Sequence, residues 1–356
     1  MTRFQADRSA LLIGSLPLTD HLEATKLVLE YTPEIPIWVQ LPIYRKEGLL
    51  RQFLSGVPGL TETDQQVFID TSLASFEEDV LRFYEDYLGV VEEGAPIDSS
   101  RFVLDHDVAK GFFSLLDVLG TLPAPPRAVK GQISGPFTLS TGLTDQNRRA
   151  LFYDDRLRDI IVKTIALKGR WQAEQMARLG TTVIVFIDEP GLAGFGSSSY
   201  IGISRNDVMG LLEEVIASIH DAGALVGVHV CANTDWSLIL DSSADILSFD
   251  AYGFFDRLIL YPEQLTSFFE SGRILAWGIV PTTNPDDILR ESASLLVSKW
   301  QEQIAQLEGI GIDNRRLMSQ SLITPSCGVG SLTRELALKV LEMTRDVSQL
   351  LRKNNR

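Results

Sequence analysis

The chain has 356 residues, 45% of them hydrophobic and 22% charged, and a formal net charge of −15. That length holds one large domain or two ordinary ones. The acidity argues against nucleic acid as a partner, because phosphate binding needs a basic face. No run of about 18 apolar residues occurs, so no membrane span is expected. The start, MTRFQADRSALLIGS, lacks the apolar stretch behind a basic lead that a secretory signal needs, and a cytoplasmic protein is expected.

Eight short apolar runs read as strands. In chain order they are ALLIGS (10–15), IPIWVQL (35–41), AVKGQIS (128–134), TVIVFID (182–188), ALVGVHVC (224–231), DILSFDA (245–251), RILAWGIV (273–280) and RLMSQSLIT (316–324). Most are rich in β-branched residues, and all lie near Gly, Pro, Asp or Asn. Helical patterns separate most of them. The clearest covers 155–179, where Ile160, Ile161, Thr164, Ile165, Leu167 and Trp171 recur at helical spacing and Gly180 ends the run. Others cover 205–222, 285–308 and 331–351. This alternation predicts an α/β protein, a closed parallel (β/α)8 TIM barrel forming one catalytic domain over 1–356. An open doubly wound sheet is the alternative. It would usually carry a Gly-rich phosphate loop after the first strand, and IGSLP is not one.

Residues 43–127 are too long for one strand-to-helix connection. Helical patterns at 63–87 and 108–119 and the turn LPAPPR at 122–127 mark this stretch as an insertion between strands two and three, a lid over the barrel mouth.

In a parallel barrel the active site sits where the strands end. The predicted ends carry Gly14-Ser15, Gln40-Leu41, Ser134, Asp188-Glu189, His229-Val230-Cys231, Asp250, Thr282 and Cys327. His229 and Cys231 are two apart on a strand and so face the same way. One imidazole and one thiolate form half of a tetrahedral zinc site. Cys327, from the last strand, would supply a third ligand and leave one position open, as in catalytic zinc sites. Cys231 and Cys327 are the only cysteines, and a structural disulfide is not expected in a reducing compartment. Asp188 and Glu189 suit acid/base work or binding of an amine, and equally the capping of a helix. Asp250 suits a fourth zinc ligand, a hydrogen-bond partner behind His229, or a turn. His21, His106 and His220 have no metal-ligand neighbours in sequence. Trp38 and Trp277 read as barrel packing.

IGSLP (13–17), GPFTL (135–139), FIDEPGL (186–192), HVC (229–231), DILSFD (245–250) and TPSCGVG (324–330) stand in the order found in cobalamin-independent methionine synthases. The chain resembles the catalytic C-terminal barrel of that family from about residue 10 to 345, in the short single-barrel core form. The wider superfamily also holds uroporphyrinogen decarboxylases and methylcobamide:thiol methyltransferases. The resemblance implies that His229, Cys231 and Cys327 bind zinc and that Asp250 stands where the family has a glutamate ligand. It implies that Ile13 and Ser15 belong to the segment holding the homocysteine carboxylate and that Asp188 binds the amine. Gln40 and Glu189 are further candidate substrate contacts, and Asp188 and Asp250 candidate catalytic groups.

Two departures bear on substrates. Gly142 stands where the family packs a tryptophan on folate, and Leu41 replaces the strand-two glutamate that helps grip the amine. The expectation is zinc-dependent methyl transfer from methylcobalamin or a methyl-corrinoid protein to homocysteine, giving methionine. The alternatives are another thiol such as coenzyme M as acceptor, folate as donor, or a non-catalytic zinc or corrinoid-docking protein. The oligomeric state is not legible.

Overall fold

The computed structural model describes residues 4–63 and 66–353. In chain order its strands are β1 (Ser9–Ala10), β2 (Leu60–Glu62), β3 (Val67–Ile69), β4 (Ala128–Ser134), β5 (Thr182–Asp188), β6 (Leu225–Val230), β7 (Ile246–Phe249), β8 (Ile274–Val280) and β9 (Ser321–Pro325). β2 and β3 form a small antiparallel hairpin. The other seven make one parallel sheet in the order β1-β9-β8-β7-β6-β5-β4, surrounded by helices.

Residues 34–40 tie the two sheet edges together. On one side Ala128 N donates to Glu34 O, Lys130 N to Pro36 O and Trp38 N to Lys130 O. On the other, Gln40 N donates to Gly14 O and Leu16 N to Gln40 O. The sheet therefore curls round towards itself, an arrangement compatible with a TIM-like barrel. Pro36 has no N–H to give, so this segment pairs through isolated bridges at Ile37 and Gln40 where a regular strand was expected.

The central strands are buried on both faces, as parallel strands covered by helices must be. Inside the sheet's curve Phe186 needs space. A Cβ on Gly227 would lie 2.3 Å from its Cε1, so glycine is required on the neighbouring strand. Outside, Trp38 donates from Nε1 to Gln172 Oε1 of the helix Asp155–Ala177 and packs edge-on against Phe53 and Phe112. Trp277 is likewise fully buried.

The helix expected over 155–179 runs Asp155–Ala177, capped by Asp154. The pattern at 285–308 is two helices, Pro285–Arg290 and Ala293–Gly309, because Ser292 caps the second and interrupts the first. The run at 316–324 is strand only from Ser321. Asp313 caps a short helix, Asn314–Ser319, over its first half. Within 63–87 the first part is hairpin and the helix is Phe76–Val91; Asp64 and Gln65 lie outside the described residues. The pattern at 108–119 is the helix Lys110–Gly120. Among the described residues no helix is long and apolar enough to cross a membrane.

Candidate metal centre

The strand register assembles the site. Ser134 pairs with Asp188, Asp188 with His229, and His229 with Ser248. Residues in register on adjacent parallel strands share a face, so Asp188, His229 and Ser248 stand side by side at the carboxyl ends of β5, β6 and β7. His229 is 4% exposed. Its Nδ1 lies 3.0 Å from Ser248 Oγ, while its Nε2 is buried with no partner. Cys231 follows β6 on the same side, and Cys327 follows β9. The donor atoms of His229, Cys231 and Cys327 all lie within 4.8 Å of one another, the one such group of His, Cys, Asp and Glu among the described residues.

This donor set fits zinc. A buried imidazole nitrogen without a partner is costly, and a metal would satisfy it. Burial, and then the Lys130 ammonium, push His229 down to about 3, so it is neutral imidazole, the form that ligates. The two thiols hydrogen-bond each other. That bond helps the first proton leave, from Cys231, and holds the second, on Cys327, far above its usual range.

The group opens on a cavity of about 410 Å³, also walled by Ile13, Ser15, Gln40 and Asp188. Four predicted substrate contacts therefore meet the three predicted ligands. Ser15 Oγ accepts from Gly330 N at 3.2 Å, and Gln40 donates from Nε2 to Gln52 Oε1 at 2.6 Å. Asp188 Oδ1 is buried without a partner. Burial pushes its carboxyl up to about 7, against the pull of Lys130.

Two predicted residues are turned to other work. Glu189 is fully buried and does not line the cavity. Its carboxylate accepts from Phe137 N (2.9 Å), Thr138 N (2.8 Å) and Thr138 Oγ1 (2.6 Å). It thus holds the start of the helix Pro136–Gly142, the capping role left open for this acid pair. Asp250 lies outside the three-residue ligand group. It caps the helix Ala251–Leu258, accepting from Gly253 N at 2.7 Å, and Ser248 takes the place behind His229. Of the other histidines, His21 contacts Glu47 and His220 contacts Asp245, each at 2.7 Å, and His106 stacks on Phe113.

Three residues at the site were not singled out from sequence. Ser248 sits two before Asp250 and shares its face by strand alternation, which was a usable signal. Lys130, inside the apolar run AVKGQIS, was visible as the one charge in a predicted core strand. Glu47 left no signal. It lies in the 3-10 turn Arg45–Glu47, its carboxylate accepts from Leu41 N at 2.8 Å and lies 2.7 Å from His21 Nε2, and it lines the cavity. Among the described lining residues Glu47 and Asp188 are acidic and none is Lys or Arg.

No family model matches the sequence, and no curated protein matches it. Among solved structures, the fold is similar to that of a Listeria monocytogenes protein provisionally named a vitamin-B12-independent methionine synthase. That match has a TM-score of 0.56 and 13% identity over 96% of this chain and 97% of that one. A catalytic module of a pneumococcal exo-β-D-N-acetylglucosaminidase aligns at a TM-score of 0.41, with 8% identity over 96% of this chain and 85% of that one, too distant to carry an argument. The chain thus shares the α/β fold of the Listeria protein, and at 13% identity the likeness is one of fold alone.

Proposed function

We propose that this chain is a zinc-dependent thiol methyltransferase that methylates homocysteine. The observation that carries this reading is the meeting of one imidazole and two thiols within 4.8 Å on a strand-end cavity. His229, Cys231 and Cys327 would hold the metal. A zinc ion held by them would act as a Lewis acid and would keep an acceptor thiol deprotonated near neutral pH, where a free thiol is mostly protonated. Ser248 keeps the His229 ring turned so that Nε2 faces the donors. Asp188 offers its free oxygen to the acceptor's ammonium, and the wall formed by Ile13 and Ser15 faces its carboxylate. The Glu47–Leu49 wall, from the start of the 43–127 stretch, keeps water from the acceptor and shapes the mouth above it.

The acidic lining favours an aminothiol over a sulfonate thiol such as coenzyme M. Asp188 and Glu47 would repel an anionic tail, and no Lys or Arg of the described lining would hold it. The donor we favour is methylcobalamin or a methyl-corrinoid protein. A Cβ on Gly142 would already lie 3.0 Å from Leu50 Cδ2, so Leu50 occupies the space that a large ring at position 142 would need.

The test is incubation of the zinc-loaded protein with homocysteine and methylcobalamin, free or protein-bound. Demethylation of the corrinoid with formation of methionine is expected. Absence of methionine with either donor overturns the reading, and turnover of methyltetrahydrofolate instead would restore the folate route. Cys231→Ser and Cys327→Ser should each fall well below stoichiometric zinc. Full zinc retention in both would mean that the metal is held elsewhere.

A further inference from the structure

Lys130 is completely buried, and the ligand set above gives it no task. It stands on the inward face of β4. Its Nζ donates to the carbonyl oxygen of Ile13 at 2.5 Å and to Gln132 Oε1 at 3.1 Å. The Phe186 ring lies against it, with its centroid 4.5 Å from Nζ. An ammonium sealed among apolar strands is costly unless an opposite charge or dipole matches it. Here the match is partial: two neutral oxygens, a ring face and, through space, the Asp188 carboxylate. A methionine of similar length would fill the same space without that cost.

The position explains the charge. Ile13 is a wall of the cavity, so the ammonium stands one carbonyl behind the place where an acceptor would lie. Two thiolates would neutralise a divalent metal held there. Asp188, once ionised, would add one negative charge, and a deprotonated acceptor another. No Lys or Arg of the described lining offsets them.

We propose that Lys130 is a positioning residue for acceptor binding: it anchors the Ile13 carbonyl in the cavity wall, and its charge offsets the negative charge that accumulates when Asp188 and an acceptor thiolate share the cavity. This rests on the thiol-methyltransferase reading.

Cobalt(II) in place of zinc gives a readout independent of turnover, since each thiolate that reaches cobalt adds to the intensity of the sulfur-to-cobalt absorption. Wild type and Lys130→Met, both full length, are loaded with cobalt and titrated with homocysteine. Lys130→Met is expected to bind one cobalt with the protein-thiolate bands of wild type. Its homocysteine dissociation constant should rise by about tenfold or more, the order of effect of one nearby charge at an effective dielectric of about 20. A constant within about twofold of wild type in the folded variant overturns the proposal and leaves the methyltransferase reading standing. A wild type that takes cobalt but shows no homocysteine-dependent band overturns that reading and the proposal together.

Where Lys130→Met does not fold, Asp188→Asn is compared with Lys130→Met/Asp188→Asn, using 2-mercaptoethanol, which has no amine for residue 188 to hold. Removing both charges mends a merely structural pair. The proposal expects the double variant to fold, bind cobalt and still bind this thiol about tenfold more weakly than Asp188→Asn alone. Equal affinities overturn it.

Discussion

Ser248→Ala tests the proposed metal centre without touching a proposed ligand. Ser248 Oγ lies 3.0 Å from His229 Nδ1, and both side chains are buried. For Nε2 to face a metal, Nδ1 must carry the proton and donate it to the serine oxygen. Alanine leaves that N–H without a partner, at a cost of about 1–3 kcal/mol for a buried polar group. Part of that cost falls on ring orientation and so on the metal. Deleting a hydrogen-bond partner of a ligating histidine lowers metal affinity by roughly 10–100-fold, or about 1.4–2.7 kcal/mol, and the two estimates agree in scale. The assay is competition for zinc against a chelating chromophore, with a thermal melt of the metal-free protein to confirm folding. A folded Ser248→Ala protein with wild-type zinc affinity would refute the reasoning, because His229 would then need no support from β7.

Other consequences are testable in the same way. At Gly135 a Cβ would lie 2.0 Å from Glu189 Cδ, and that carboxylate is locked by three hydrogen bonds. Gly135→Ala should therefore destabilise by several kcal/mol, on the scale of a broken buried network, visible as a large fall in melting temperature; a fall under 2 °C would show that Glu189 can move aside. Lys168 is fully buried, donating to Ser55 Oγ (3.0 Å) and Val103 O (2.9 Å), and burial pushes it down to about 7. The unfolded chain then binds the proton more tightly than the folded one. Stability is reduced below pH 7 and recovers between 7 and the ordinary lysine value of 10.5. Lys168→Met should be more stable than wild type by up to a few kcal/mol at pH 6–7, with the gap closing towards pH 10. Denaturant unfolding at several pH values checks this, and a gap that does not change with pH would sink it.

Much of the site was legible because a parallel sheet turns sequence position into place. Once AVKGQIS, TVIVFID and ALVGVHVC are strands, their polar ends must gather at one face, and His229, Cys231 and Asp188 follow. Register was not legible. Nothing in DILSFD tells that Ser248 stands opposite His229 while Asp250 turns to cap the next helix, since both point inwards by alternation. Glu189 shows the same limit. An acid beside Asp188 reads as a second site carboxylate until the backbone places it under Phe137 and Thr138. Glu47 was out of reach for another reason: it arrives in a 3-10 turn with no periodicity, and its contacts with Leu41 N and His21 hold it at the cavity. The helix at Asn314–Ser319 escaped because an apolar run of nine spans a short helix and a strand without a break in composition.

The order of the chain also governs when this centre can exist. β1 closes onto β9, with Ser9 beside Leu322 and Ala10 beside Ile323, and Cys327 comes two residues after β9. The wall at Ile13–Ser15 and the third sulfur are therefore brought in by one late segment. At about 5–20 residues per second of synthesis, His229 and Cys231 emerge seconds before Cys327 and wait without it. In the proposed centre the third sulfur would therefore join last, and a chain ended between the two cysteines would lack one of the three donors that lie within 4.8 Å of one another.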